Sequence, residues 1–407
     1  MHRLIAIAAF IVILVVPVAA QEAPPLDPSN LTASLSARLP MLSAPANTSA
    51  HLSPSGTLML HTAGFDFCVY AMPDTRLNCV DIRDQWDDDT PRPDHETFRW
   101  SPDERYVAFT EPAFVFFRDS DIWVFDVVTR LLLNVTNDGY DGSLAVTGDD
   151  DAPDSAYVDL APAWHPDGRL TFVRYNIRME GAPEVMALTM PDGDPEPIAE
   201  LPIIPGGRGY VMDMDWAPDG SYLAYAMDLL DSPLSGVWAY FVEDDEAKLL
   251  ATQTRERIPY LSVSVSPDST SILGLTGVRD QLMMQAIRPS DTIEDNGYVV
   301  ISAARATKQP LAPSRLVLSA GWLPDGGLLI VDFRLTLEDV GTDLVALAEP
   351  SDEGIILLGS EVIENAGTRF FSPTSVQKKP LIVGTNGVVV LATVGEETLV
   401  VQLETGD

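Results

Sequence analysis

One turn recurs along this chain, and it limits the folds open to it more than any other feature. In Asp215 to Ala226 it reads DWAPDGSYLAYA: a bulky apolar residue stands two places before the proline of Pro-Asp-Gly, and a short strand-like run follows. Proline holds φ near the value needed at the second position of a type I turn, aspartate accepts nearby backbone N–H groups, and glycine tolerates a left-handed conformation. Together they reverse the chain between two strands. Further copies are WSPDE at Trp100, WHPDG at Trp164, VSPDS at Val265 and WLPDG at Trp322, with looser ones, LSPSG at Leu52 and FSPTS at Phe371. The residue two before the proline is apolar in all seven, as expected of a side chain that anchors an inner strand.

The seven prolines fall at 54, 102, 166, 218, 267, 324 and 373, so successive differences are 48, 64, 52, 49, 57 and 49. A period near fifty with strand-turn-strand content marks a propeller array, in which each unit is a small sheet that buries its faces only by stacking on neighbours. The expected fold is therefore an all-β propeller of four-stranded antiparallel blades. Seven turns predict seven blades; six with one divergent pair is the alternative, because the unit between Ser271 and Leu311 is irregular.

The run WSPDERYVAFT from Trp100, followed by DIWVFDVVTRLLLNVT from Asp121 to Thr136, resembles the repeat of the TolB-like propeller family. That repeat is an apolar-Ser-Pro-Asp-Gly turn, a strand, then an Ile-Tyr-Val-like strand. The resemblance spans roughly Ser49 to Leu403 on this count of repeats. Residues 21–50 are too short to hold the domain that precedes the propeller in TolB itself, so the resemblance does not extend to a Tol-system role. Strands are expected at Tyr106 to Thr110, Asp121 to Val127 and Leu131 to Val135, and again at Tyr222 to Met227, Val237 to Val242 and Ala247 to Leu250. The last unit reads as Pro380 to Thr385, an Asn386-Gly387 hairpin turn, Val388 to Val394 and Thr398 to Leu403.

The chain divides into three parts. Residues 1–20 carry His2 and Arg3, an unbroken apolar run and Val18-Ala19-Ala20 before Gln21, which is the pattern of a secretory signal peptide; an uncleaved anchor is the alternative. Residues 21–48 read as a linker, with one strand that helps close the ring, and residues 49–407 are the propeller. Export places the protein in the periplasm, at the cell surface or outside the cell, without membrane insertion after cleavage, and it is taken as a monomer. Cleavage removes Arg3 and no acid, leaving 24 basic against 60 acidic residues, or −36 with histidine neutral. Such a surface repels nucleic acid and anionic lipid and suits cations or basic partners; solubility alone is the plainer reading.

Both cysteines lie in the first unit. Cys68 and Cys79 are symmetric about Pro73-Asp74, since 68 + 79 equals 73 + 74, so a hairpin turning there sets them opposite each other. In an exported chain that reads as a disulfide, with two reduced thiols as the alternative.

Turns of the Pro-Asp-Gly kind are short and share one face, which leaves the long connections to the other. Loops positioned by a rigid scaffold carry function, so the long-loop face is the expected binding face for a protein, peptide or glycan. Two of its loops precede consecutive blades and are acidic. Residues 84–96 read DQWDDDTPRPDHE, with Trp86, Asp87, Asp88 and Asp89 as candidate partner contacts; Trp86 is the candidate stacking aromatic. Residues 137–160 contain Asp138, Asp141, Asp149, Asp150, Asp151, Asp154 and Asp159 and no Lys or Arg. Asp138 and Asp141 extend the partner-binding set, and Asp149, Asp150, Asp151 and Asp154 are candidate Ca²⁺ ligands, since clustered carboxylates offer the hard oxygens calcium prefers. Their spacing matches no EF-hand, and a solvated acidic loop is the alternative.

Enzymatic readings find little support. Propeller oligopeptidases need a Gly-x-Ser-x-Gly elbow and a hydrolase domain, and metal-dependent lyases on related propellers use several histidines, whereas after residue 20 only His51, His61, His95 and His165 remain. A small-molecule enzyme would need acids or histidines to converge on a cation at the channel mouth. The favoured function is an exported, non-catalytic binding scaffold.

Overall fold

The computed structural model describes residues 28–40, 48–86, 93–94, 97–111, 120–140, 156–176, 181–202, 209–229, 232–252, 260–276, 297–311, 316–335, 340–364, 380–392 and 397–405. It is a β-propeller of seven antiparallel blades. Strand β1 (Leu31–Pro40) precedes the first complete blade, formed by β2 (Thr48–Leu52), β3 (Leu58–Ala63), β4 (Asp66–Ala71) and β5 (Thr75–Asp81). The second holds β6 (Arg99–Trp100), β7 (Tyr106–Thr110), β8 (Ile122–Asp126) and β9 (Leu132–Asn134), and the third β10 (Tyr157–Trp164), β11 (Leu170–Asn176), β12 (Glu184–Leu188) and β13 (Glu196–Glu200). The fourth follows with β14 (Gly209–Trp216), β15 (Tyr222–Leu229), β16 (Gly236–Phe241) and β17 (Glu246–Thr252). The fifth has β18 (Tyr260–Val265), β19 (Ser271–Thr276), β20 (Gly297–Ser302) and β21 (Thr307–Pro310), and the sixth β22 (Leu316–Trp322), β23 (Leu328–Leu335), β24 (Val340–Leu347) and β25 (Ile355–Leu358).

The seventh blade closes the ring. Its strands β26 (Val388–Ala392) and β27 (Glu397–Thr405) pair with each other, the bridge Val383↔Val389 supplies its inner edge, and β1 lies antiparallel on β27 from Leu31↔Thr405 to Pro40↔Glu397. The segment before the propeller thus provides the outermost strand of the last blade. Ends of the chain that share one sheet remove the open edge a ring would otherwise have.

Each repeat turn forms as its residues dictate. The fourth residue's N–H reaches back to the residue before proline: Gly56 to Ser53, Glu104 to Ser101, Gly168 to His165, Gly220 to Ala217, Ser269 to Ser266 and Gly326 to Leu323, all at 2.8–2.9 Å. That fourth residue has positive φ in every case, even where it is Glu104 (57°) or Ser269 (60°). In the Ser-Pro-Asp copies at Ser101 and Ser266 the hydroxyl donates to the turn aspartate and accepts the N–H that starts the next strand, as Ser101 does with Asp103 (2.6 Å) and Tyr106 (2.9 Å). The Asn386-Gly387 hairpin turn expected in the last unit is present, with Gly387 (φ 80°) bonded back to Gly384, while FSPTS falls in residues 365–379, outside the described residues. Asn-Gly meets the same dihedral demand that Pro-Asp-Gly meets elsewhere.

The apolar core is divided among the seams. Seven clusters of buried side chains each join two adjacent blades; Tyr106, Ile122 and Val124 meet Trp164, Phe172 and Met186 between blades two and three, for example. The apolar residue before the turn is the seam's anchor. Trp100, Trp164 and Trp322 donate their indole N–H to a carbonyl in the inner strand of a preceding blade, of His51, Arg99 and Ser264 respectively, and Trp216 donates to Thr171 Oγ1, at 2.9–3.0 Å. An indole buries a large apolar surface and still needs a partner for its N–H, so tryptophan suits a position where a neighbouring blade presents an acceptor. Among the described residues no helix is long and apolar enough to cross a membrane.

Candidate functional site

Strand order sorts the connections. First-to-second and third-to-fourth hairpins share the repeat-turn face and are short, none among the described strands longer than the seven residues of 189–195 (β12 to β13) and 348–354 (β24 to β25). Second-to-third hairpins and blade-to-blade segments share the other face, where residues 82–98, 111–121, 135–156 and 277–296 all connect strands. The repeat-turn face is also laced together. Glu104 of the second turn accepts Ser55 N–H (2.6 Å) and Thr57 O–H (3.0 Å) of the first, Asp219 N–H reaches Ser269 Oγ (3.3 Å), and the seventh turn donates Thr385 and Asn386 N–H to Pro54 and Ser55 carbonyls.

Most of the acidic-loop residues proposed from sequence lie outside the described residues: Asp87, Asp88, Asp89, Asp141, Asp149, Asp150, Asp151 and Asp154. Two are placed. Asp138 is half-buried, and its carboxylate accepts the N–H of Tyr140 (2.9 Å) and of Tyr157 (2.7 Å), so it ties the start of the 138–157 connection to its end. Trp86 is not a surface aromatic. It is 6% exposed, with Trp123 at 4.5 Å and Phe109 at 6.0 Å between ring centroids, in the cluster that joins blades one and two. The turn at Arg83–Gln85 carries the chain back over that seam, and burial of the indole removes it from ligand contact. Cys68 and Cys79 are directly paired on β4 and β5 and bonded to each other.

At the root of the second acidic loop, Asp159 on β10 forms a two-point ion pair with Arg174 opposite it on β11, at 2.7 and 2.8 Å. Asp159 is 1% exposed, and burial pushes its carboxyl up to about 6 against the pull of the guanidinium. Arg174 also lies over the Tyr157 and Phe172 rings, at 4.5 and 5.5 Å. Beside it, Asp121 accepts Asn134 Nδ2 (2.6 Å) and Thr136 O–H (3.1 Å), and Trp123 donates to the buried Glu111 (2.8 Å). The described acids flanking the 138–157 connection, Asp138 and Asp159, are thus both hydrogen-bonded.

The channel holds the second polar group. Arg99 on β6 crosses from blade two to Asp213 on β14 of blade four, passing blade three, with Nη2 2.5 Å from Oδ1. Asp213 Oδ2 accepts Val263 N–H (3.1 Å), and Asp215, two residues on, accepts Val265 N–H (2.7 Å). One strand thus uses two same-side carboxylates to hold the next blade's inner strand. Asp215 keeps some solvent contact at the channel yet is enclosed by protein, and burial pushes its carboxyl up to about 6 although Val265 N–H and Arg99 pull the other way. On β2, Ser49 Oγ lies 2.7 Å from His51 Nε2 and 2.8 Å from Thr62 Oγ1. Sequence reading passed over Arg99, Asp213 and Asp215. The signal available was MDMDW before the turn, where acids at alternate positions interrupt an inner strand.

No protein-family model matches the chain, and no curated protein matches it by sequence. Solved structures do match in shape. An oligogalacturonate lyase in complex with manganese aligns with a TM-score of 0.54 and 10% identity over 93% of this chain and 91% of its own. An oligogalacturonate lyase from Vibrio parahaemolyticus gives 0.53 and 10% over 93% and 92%, and a chain of a mitotic checkpoint complex gives 0.52 and 12% over 97% and 98%. A structure assigned to TolB from Agrobacterium tumefaciens aligns at 0.36, too low to carry an argument. At these identities the likeness is one of fold, the propeller, and does not extend to activity.

Proposed function

We propose that this chain is an exported, non-catalytic propeller that binds a protein, peptide or glycan through its long-loop face. The observation that carries this reading is the asymmetry of the two faces. One face consists of short turns, several of them bonded to each other across blades, while the strand ends joined by residues 82–98, 111–121, 135–156 and 277–296 all lie on the other, and the two acidic stretches fall within these connections in sequence. A rigid ring with variable loops on one side is the arrangement by which a scaffold positions binding groups. The channel acids support the non-catalytic reading, since Asp213 and Asp215 are engaged with Arg99, Val263 and Val265 in bracing the ring. The apolar start of the chain and the Cys68–Cys79 bond support export.

The test is cross-linking capture from the native envelope with three proteins: the parent, a loop variant (Asp87→Asn/Asp88→Asn/Asp89→Asn), and a control (Asp192→Asn/Asp194→Asn) on the repeat-turn face. A partner captured by parent and control and lost by the loop variant supports the reading. Equal capture by all three, or loss only in the control, overturns it.

A further inference from the structure

His61, Cys68 and Cys79 form one row across the first blade. His61 on β3 stands opposite Cys68 on β4, and Cys68 stands opposite Cys79 on β5. Directly opposed residues of antiparallel strands share a face, with Cβ atoms about 4.5–5.5 Å apart. Exposure changes sharply along the row. His61 is 1% exposed and Cys68 2%, whereas Cys79 is exposed on the outermost strand of its sheet. The two sulfurs of one bond thus differ in access: a thiolate from solvent approaches Cys79, and the protein covers Cys68.

The inner end of the row carries an unmet polar atom. His61 Nδ1 is buried and has no hydrogen-bond partner. Burial holds the imidazole neutral by pulling its pKa down to about 4. A neutral imidazole with its proton on Nε2 offers Nδ1 as an acceptor. In the oxidised protein the neighbouring sulfur has no proton to donate; a Cys68 thiol has one.

We propose that the Cys68–Cys79 bond is an exchangeable redox latch, opened by a dithiol reductant at the exposed Cys79 sulfur, with Cys68 as leaving group and His61 as acceptor for the thiol that forms. In the first step one thiolate of the dithiol attacks Cys79 Sγ; the new S–S bond joins reductant to Cys79, the Cys68–Cys79 bond breaks, and its electron pair leaves on Cys68. Cys68 takes a proton from solvent, and its S–H donates to His61 Nδ1. In the second step the remaining thiolate attacks the reductant sulfur held on Cys79 and releases Cys79 as thiolate. The dithiol is oxidised to a disulfide and the protein cystine is reduced, two electrons in all.

The latch sits where the ring closes. Cys68 packs with Leu39 of β1, Leu52 and Met59 of the first blade and Val388, Val390 and Val400 of the seventh. Opening it removes the covalent tie between β4 and β5 and leaves their backbone pairing, from Asp66↔Asp81 to Ala71↔Thr75, in place, so the fold can persist while the sulfur packed in the closing seam changes state.

The experiment equilibrates native protein with graded ratios of reduced to oxidised dithiothreitol, followed by acid quench, alkylation and mass spectrometry, with circular dichroism to follow folding. A short pulse of glutathione maps the attacked sulfur. Expected are reduction of the folded protein, a glutathione adduct on Cys79, and a half-reduction point that moves about tenfold toward more reducing ratios in His61→Phe, the size of one hydrogen bond. His61→Gln, which restores an acceptor, returns it toward the parent. Reduction only on unfolding, an adduct on Cys68, or a half-reduction point that His61→Phe leaves unmoved overturns the proposal. Should His61→Phe fail to fold, the parent's adduct position and native-state reducibility decide it.

Discussion

Replacing Arg99 by leucine tests whether a single ion pair braces the ring. The Asp213 side chain is 4% exposed and that of Arg99 19%, so the pair is largely withdrawn from solvent. Removing one partner of a buried pair leaves a charge without its counter-charge and costs about 3–5 kcal/mol. Asp213 still accepts Val263 N–H in that variant, which places the expected loss at the lower end, about 3 kcal/mol. Asp213→Asn keeps an acceptor for Val263 and removes the stranded charge. Arg99→Leu/Asp213→Asn is therefore expected to lie closer to the parent than Arg99→Leu alone, by about 1.5–2 kcal/mol. The assay is urea unfolding followed by tryptophan fluorescence, compared at common m-value so that midpoints report stability. If Arg99→Leu falls within about 0.5 kcal/mol of the parent, or if the second substitution brings no recovery, the pair is not a brace and the reasoning fails.

Three further outcomes are expected. Glu104→Gly relieves a left-handed backbone, worth about 1 kcal/mol, but loses two bonds from a carboxylate to the first turn, so it destabilises by about 1–2 kcal/mol; Arg130→Gly, at φ 66° on an exposed turn, stabilises instead, and thermal melts showing the same sign for both would refute the turn-to-turn bond. Asp215 has a folded pKa of about 6 against an ordinary 3.8, so the folded state binds the extra proton and stability from this group falls as pH rises from about 4 through 6, by roughly 3 kcal/mol in the limit; melts at pH 5 and 7 should differ less in Asp215→Asn than in the parent, and equal slopes would remove the assignment. Calcium at ~100 Kd should add about 2.7 kcal/mol beyond NaCl of matched ionic strength if the 137–160 loop binds it, and Asp149→Asn/Asp151→Asn should abolish the difference; equal shifts by both salts in the parent leave only screening.

What the sequence determined by itself is the repeat. A tight turn is a local object: proline's φ, an aspartate acceptor and a residue able to take positive φ act within four positions, so WAPDG and WLPDG announce a reversal wherever the chain goes. The tryptophan two places earlier is legible for the same reason, since it opens the turn from a strand that must be buried. The hairpin carrying Cys68 and Cys79 is local too, but its turn pairs Ala71 with Thr75, and only a one-residue register shift between Val69 and Tyr70 brings Cys68 opposite Cys79. Tertiary structure decided what meets across the ring. Arg99 and Asp213 are 114 positions apart and join only because blades two and four face one channel. Trp86 reads as a loop aromatic from its acidic neighbours, yet the first seam had room for an indole, and burial of its apolar surface outweighed local polarity. For β1 the sequence supplied the expectation of a ring-closing strand within residues 21–48, while its bounds and its partner were decided by the edge that β27 presents. Local dihedral preference is written residue by residue, whereas pairing between distant segments depends on which edges and cavities the assembled blades leave to be filled.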